Sequence, residues 1–313
     1  MKKIFLILFL LIILAAAGLY IFIPKRITIS KTIKIEATRD GLLRKLGKTQ
    51  NWNEWWPGGQ KEVGHAGSYL LNDIHFKPGP PKTLSIPLNI DIKNSQINSE
   101  LTFISKGTDS TIIHIETSIP VGYNPFERIN LYFKSKKLEK SLSEILQSIN
   151  DVYSNVEKLY DYNIQKKLVV DSILVFTSTE IKGNPSTGSV YALIDELKSY
   201  IKQHAATETG LPMQNIFTSD SMNYVIKVAI PVNKRLPDSG KFKYRWMLGG
   251  GNILITEVKG DQNEINKAYK QILNYISDYR RVAPAIPFES LVTDRRKEPD
   301  SSKWITHIYY PVM

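Results

Sequence analysis

The chain reads T-E-I-K-G-N at 179–184 and T-E-V-K-G-D at 256–261, and this near-repetition decides the fold of its second half. Each copy sits in the same local setting. A β-rich run precedes it: Leu168–Thr179 in the first case, and Asn252–Thr256, after Gly249-Gly250-Gly251, in the second. An amphipathic helical pattern follows it, carried by Val190, Leu193, Ile194, Leu197 and Ile201, then by Ile265, Ala268, Tyr269, Ile272 and Ile276 at matching spacing. Next comes an apolar-Pro-apolar triplet, Leu211-Pro212-Met213 before Gln214 and Ile286-Pro287-Phe288 before Glu289. Each unit ends on a strand reaching Ile230-Pro231-Val232 or Tyr310-Pro311-Val312. The segment 166–313 is therefore a βαββ unit written twice, an α+β arrangement.

Such a unit buries its helix face on its own sheet. Two copies pairing edge to edge make one sheet with both helices behind it and a concave groove in front. Gly183 and Gly260 allow the sharp turn into each helix, and Glu180 and Glu257 read as solvated. Alternation along the strands places Phe242, Tyr244 and Trp246 on one face, Tyr224, Ile226 and Val228 on one face, and Trp304, Thr306, Ile308 and Tyr310 in another row. An aromatic-lined face binds flat or greasy molecules. Tyr244 and Trp246 read as groove walls, whereas Tyr224 and Trp304 are divided between groove and helix-packed core.

This segment resembles the gyrase-inhibitor-like (GyrI-like) effector-binding family, an AraC-type, SOUL-like ligand-binding fold. The resemblance is carried by M-L-G-G-G-N-I-L-I-T-E-V-K-G-D (247–261), I-N-K-A-Y-K-Q-I-L-N-Y-I (265–276), P-F-E-S-L-V-T-D (287–294) and W-I-T-H-I-Y-Y-P-V (304–312). It implies that the acidic residue of the P-F-E strand, here Glu289, points into the groove and faces the ligand. Its counterpart in the first repeat is Gln214. One carboxylate on a near-symmetric apolar groove favours a cationic or hydrogen-bond-donating ligand, and burial would raise its pKa. The sequence departs from the family where Asp294 is followed by Arg295 rather than proline.

The preceding segment, 27–165, opens with an alternating strand (Ile27–Ile35) and a short helix (Ala37–Leu46). Strand-like runs follow at Ser68–Phe76, Thr83–Ile92, Gln96–Ser105 and Thr111–Ser118. Leu138, Leu142, Ile145, Ile149, Val152, Val156 and Leu159 then form a stripe, read as a helix laid on a curved antiparallel sheet rather than as a coiled coil. The stretch I-T-I-S-K-T-I-K-I-E-A-T-R-D-G-L-L-R-K-L (27–46), followed by W-N-E-W-W-P (52–57), resembles the start of a polyketide cyclase-like, START-related helix-grip (SRPBCC) domain. That family encloses an apolar cavity, so Trp52, Trp55 and Trp56 either wall a cavity or pack in the core, with core packing the reading for at least two.

Residues 1–26 hold Lys2 and Lys3, an apolar run from Ile4 to Ile23, and Pro24-Lys25-Arg26. About twenty apolar residues span a bilayer as one helix. The run therefore reads as a single-pass transmembrane anchor. The alternative is a cleaved signal peptide, although apolar residues continue past Ala15-Ala16-Ala17. The short leading tail favours an extracytoplasmic (periplasmic) body, whereas Lys25, Arg26, Lys31 and Lys34 argue the other way.

The 313 residues include no cysteine, which excludes disulfides, thiolate metal sites and cysteine nucleophiles. The net charge of +11 is scattered, with no helix-turn-helix or finger spacing, so no nucleic acid is expected as a partner. The five histidines show no metal spacing, and no P-loop, G-x-S-x-G or H-E-x-x-H motif occurs. No cofactor or metal is expected. The sequence reads as a membrane-anchored protein that binds an apolar, amphipathic or lipid-like small molecule, cationic ones included, through Glu289, Gln214, Trp246, Tyr244, Tyr224, Trp304 and Tyr310. The alternatives are a hydrolase with Glu289 as general acid or base, or a protein-interaction module whose partner the sequence does not name.

Overall fold

The computed structural model describes residues 2–57, 67–92, 95–170, 172–220, 222–247 and 249–313. His65 lies outside them. The chain divides into two compact units, Met1–Leu159 and Tyr160–Met313.

The first unit begins with α1 (Lys2–Phe22). Ile4, Ile7, Phe9, Leu10, Leu11 and Ile13 of this helix are 49–70 % exposed. Among the described residues, no helix is long and apolar enough to cross a membrane, so the expected spanning segment is not supported by the structure. After α1 come β1 (Arg26–Ile35), α2 (Arg39–Leu46), a 3-10 turn at Thr49–Asn51 and α3 (Trp52–Trp55). They are followed by β2 (Tyr69–Leu71), β3 (Ile74–Pro78), β4 (Ser85–Ile92), β5 (Ser95–Lys106) and β6 (Ser110–Pro120). The six strands form one antiparallel sheet in the order β1-β6-β5-β4-β3-β2. The run 68–76, expected as one strand, is two: Asn72 and Asp73 take φ of 52° and 57° and close a hairpin.

The long helix α4 (Pro125–Tyr153) packs on β1 and β6 and buries Leu138, Leu142, Ile145 and Ile149 completely, so the heptad-like stripe is a sheet-facing stripe. Asn124 caps its start, accepting from the backbone N–H groups of Phe126 and Glu127. In its first turn Arg128 is 2 % exposed; its Nε donates to the Ile23 carbonyl at 3.0 Å, and its guanidinium lies 4.7 Å from the centre of the Tyr20 ring. A cation thus meets the carbonyl end of α1. A short helix, α5 (Val156–Tyr160), follows.

The three tryptophans pack on one another. Trp52, Trp55 and Trp56 are 0–5 % exposed, with Trp52 4.8 Å from Trp55 and 5.7 Å from Trp56 between ring centres, and Tyr69 completes the cluster. Trp52 Nε1 donates to the Leu46 carbonyl and Trp56 Nε1 to that of Leu70. A buried indole that finds both an aromatic bed and an acceptor serves as a packing element. Trp52 and Trp56 are thus core-packing elements, the reading given for at least two of the three, and Trp55 is equally buried against them although its Nε1 finds no acceptor among the described residues.

The second unit holds β7 (Gln165–Leu168), β8 (Ser172–Lys182), α6 (Thr187–Gln203), β9 (Met213–Thr218), β10 (Asn223–Val232) and β11 (Lys243–Met247). The second half supplies β12 (Asn252–Lys259), α7 (Gln262–Asp278), β13 (Phe288–Leu291) and β14 (Ile305–Val312). The order β11-β8-β10-β9-β13-β14-β12-β7 mirrors the duplication: β8, β10 and β9 on one side match β12, β14 and β13 on the other, the second strands of the two units, β9 and β13, meet in the middle, and β11 and β7 form the edges. The hexapeptides end β8 and β12. Gly183 (φ 80°) and Gly260 (φ 135°) make the turn in the left-handed region, as expected. The helices then start differently. Asp261, inside the second hexapeptide, caps α7 directly, whereas α6 waits for a capping box at Ser186 and Ser189.

Replacing Trp52 by alanine is expected to cost about 3–5 kcal/mol of stability, read from denaturant unfolding of the full chain. Replacing exposed Tyr123 by alanine should leave the midpoint in place.

Candidate functional site

The two faces of the eight-stranded sheet carry different chemistry, and strand register assigns every side chain to one of them. Val175, Ile226, Val228 and Leu291 face the helices and pack with Val190, Ile194 and Leu197 of α6. α6 lies over β8 and β10, and α7 over β12 and β14. β9 and β13 thus form the floor of a cleft between the helices. At the centre of that floor Glu289 stands opposite Gln214, its own counterpart in the duplication. Gln214 is also opposite Val228, and Glu289 opposite fully buried Ile308, so both point to the helix side.

Gln214 Nε2 donates to Glu289 Oε2 at 2.8 Å, and the Tyr269 hydroxyl of α7 is hydrogen-bonded to the same carboxyl group. Glu289 is 9 % exposed and Gln214 3 %. Burial raises the carboxyl pKa above its ordinary value, and the hydrogen bond from Gln214, the Arg295 charge and Tyr269 oppose that rise. Burial likewise raises the Tyr269 hydroxyl, reinforced by the neighbouring carboxylate. Arg295 comes from the loop after β13. Its backbone N–H donates to Tyr191 Oη of α6 at 2.9 Å, and that hydroxyl donates to the Thr293 carbonyl. The guanidinium donates to Thr306 Oγ1 at 3.0 Å and lies 4.9 Å from the Trp304 ring centre. The cleft therefore holds one carboxylate, one guanidinium more than 4 Å from it, and aromatic rings from α7 and β14.

The structure brings Glu289, Gln214, Tyr310 and Trp304 to this side of the sheet, with Tyr310 and Tyr269 6.5 Å apart between ring centres. Their expected position, a groove in front of the sheet with the helices behind, is corrected: the acidic residue lies among the helices. Tyr224 and Tyr244 are also on the helix side, opposite Ile181 and Val175, but on β10 and β11 rather than on the cleft floor. Phe242 explains why the parity reading failed. It stacks on Tyr200 of α6 at 4.5 Å and 15°, so its row is the helix-packed row. Trp246 shares this row, opposite Ile173, and is 59 % exposed because β11 is an edge strand. Tyr269 and Arg295 were not recognised as site residues. Tyr269 was visible only as one position of a helical stripe, and Arg295 only as a break in the family pattern. Among the described residues no His, Asp or Glu cluster could hold a metal ion.

No family model matches the chain, and no curated protein matches it. Solved structures with similarity include the EcmrR C-terminal domain (17 % identity, 49 % of this chain and 98 % of that one, TM-score 0.42). SAV2435 bound to tetraphenylphosphonium is another (14 %, 48 % and 94 %, TM-score 0.31), and the Aha1 dimer from Colwellia psychrerythraea a third (13 %, 41 % and 96 %, TM-score 0.31). At these identities and scores the likenesses assign neither family nor function.

Because the folded-state pKa of Glu289 is raised, its contribution to stability is full below the ordinary carboxylate value of 4.5 and is lost as pH rises through the folded value. Glu289→Gln should therefore gain stability relative to the parent chain as pH rises above 4.5. The gain should be about 1.4 kcal/mol for each unit of elevation, read from denaturant midpoints across pH.

Proposed function

We propose that the Tyr160–Met313 unit binds an apolar or amphipathic small molecule in the cleft between α6 and α7. The supporting observation is the single buried carboxylate at the centre of the duplicated sheet, where Glu289 is held by Gln214 and Tyr269. A ligand with a cationic or hydrogen-bond-donating group can meet that carboxylate, while Tyr269, Tyr310 and Trp304 supply flat apolar surface. Arg295 narrows the choice, because a ligand cation must approach Glu289 while keeping clear of the guanidinium. In this reading α1 tethers the protein to a membrane with the body on the extracytoplasmic side. The reading rests on the apolar run 4–23 and on the outward-facing apolar side chains of α1.

Tetraphenylphosphonium, a lipophilic cation, is a suitable probe for calorimetric titration of the full chain. Glu289→Gln should weaken its binding by about tenfold or more, equivalent to about 1.4 kcal/mol. Arg295→Gln should strengthen binding. Unchanged affinity in Glu289→Gln would remove the cleft from consideration. For the tether, the full chain should remain with membranes after alkaline carbonate washing, and a chain lacking residues 1–23 should be released.

A second reading has one observation in its favour. A carboxyl group whose pKa is raised by burial is suited to general acid or base catalysis by a hydrolase. Turnover of an ester or amide that vanishes in Glu289→Gln while binding persists would select that reading.

A further inference from the structure

The face of the second sheet turned away from α6 and α7 carries a groove of about 280 Å³ that the Glu289 cleft does not explain. Its shape follows from one row of paired residues. Phe176, Ala229 and Met213 stand side by side across β8, β10 and β9, and Ser290 follows on β13. A methyl group between a phenyl ring and a thioether leaves a trough. Leu174, Phe288 and Ile286 add apolar walls. The neighbouring rows carry charge: Arg245 stands opposite Leu174 on one side of the trough, and Lys227 opposite Asn215 on the other. Among the described residues neither cation has a carboxylate partner. Arg245 lies 5.6 Å from the centre of the Phe176 ring, and Lys227 4.9 Å from that of Phe217. Glu180, on the same face, accepts from Ser219 instead.

We infer that this groove is a second ligand site, for a small amphipathic anion: an aromatic or short aliphatic body with one carboxylate, sulfonate or phosphate group. The body fills the trough over Ala229, and the head meets Arg245 or Lys227. Two unpaired cations flanking an apolar slot attract an anion and repel a cation of the same shape. The volume lies near the lower end of the range of ligand pockets, about 300 Å³ upward, which suits a body of one or two rings. Both charged ends lie over aromatic rings, Arg245 over Phe176 and Lys227 over Phe217, and neither residue is buried, so the cations can reach a head group at the mouth. The site is distinct from the cleft: the two open on opposite faces of one sheet, and Glu289 faces the other.

The test uses the full chain in phosphatidylcholine nanodiscs, titrated calorimetrically with naphthalene-2-sulfonate, with (2-naphthyl)trimethylammonium as the cation of matched shape and empty nanodiscs as blank. The sulfonate should bind and the ammonium should bind at least about tenfold more weakly at this site. Combined Arg245→Gln and Lys227→Gln should weaken the sulfonate by a similar factor. Ala229→Phe, a change at a partly exposed position that fills the trough, should abolish binding while the thermal midpoint stays near that of the parent. Glu289→Gln should leave sulfonate binding unchanged, which separates this site from the cleft. Absence of sulfonate binding, equal binding of the two probes to the Glu289→Gln chain, indifference to the Arg245 and Lys227 substitutions, or loss of sulfonate binding in Glu289→Gln would each overturn the inference. A phosphatidylglycerol nanodisc that competes with the sulfonate would identify the anion's source as lipid head groups, and undiminished sulfonate binding would identify it as a free solute.

Discussion

The hydrogen bond from Gln214 to Glu289 joins the two halves of the second unit at the residue where the duplication meets itself. β9 and β13 pair over a short register, and these two side chains occupy facing positions in it. A faithful duplication would place like beside like. Two glutamates would set two carboxylates in one buried contact, where both cannot ionise cheaply. Two glutamines would leave the floor without charge. One of each lets the amide donate to the carboxylate, satisfies two buried polar groups together, and leaves a single negative charge near the pseudo-symmetry axis. The mirrored strand order and the placement of the helices on either side both converge on this pair.

One sheet then separates two chemistries. On the helix side, α6 and α7 carry the main apolar contacts, and the polar groups that enter the cleft are held from several directions: Tyr269 from α7, Tyr191 from α6 through the loop, Arg295 from the loop itself. On the open side Arg245 and Lys227 lie over Phe176 and Phe217 and, among the described residues, meet no carboxylate. The same β9 strand serves both, with Gln214 turned to one face and Met213 and Asn215 to the other. Alternation along a strand is sufficient to give one short segment two roles.

Much of this architecture was legible in the sequence. The repeated hexapeptides, the matched helical stripes and the Pro-centred strand starts are local patterns, and local patterns determine elements and their order. The stripe of Leu138, Leu142, Ile145 and Ile149 is legible as sheet-facing because nearby strands need cover, and all four are fully buried. Strand parity grouped residues on a face but could not say which face met the helices, since that depends on how distant strands pair. Phe242 stacking on Tyr200 is such a contact and reverses the reading of Tyr244, while pairing with Ile181 puts Tyr224, left divided by the sequence, on the helix side. The tryptophans of 52–56 share this limit. Their spacing suits a cavity wall or a core, and for Trp52 and Trp56 the acceptors at Leu46 and Leu70 decide. Arg295 was visible as an oddity, but its reach to Thr306 and Trp304 is tertiary.

The contact between Arg128 and the carbonyl end of α1 has a mechanical meaning. Only Ile23, Pro24 and Lys25 separate α1 from β1, and Arg128 grips the first of these while its guanidinium lies over Tyr20. A helix joined by a flexible linker transmits tension but no torque. Here, rotation of α1 about its own axis would have to break charge-assisted hydrogen bonds on a buried guanidinium, so axial twist passes directly into α4 and the six-stranded sheet. The first unit is coupled to α1 as a lever to its shaft, and whatever holds α1 also sets the direction in which that unit faces.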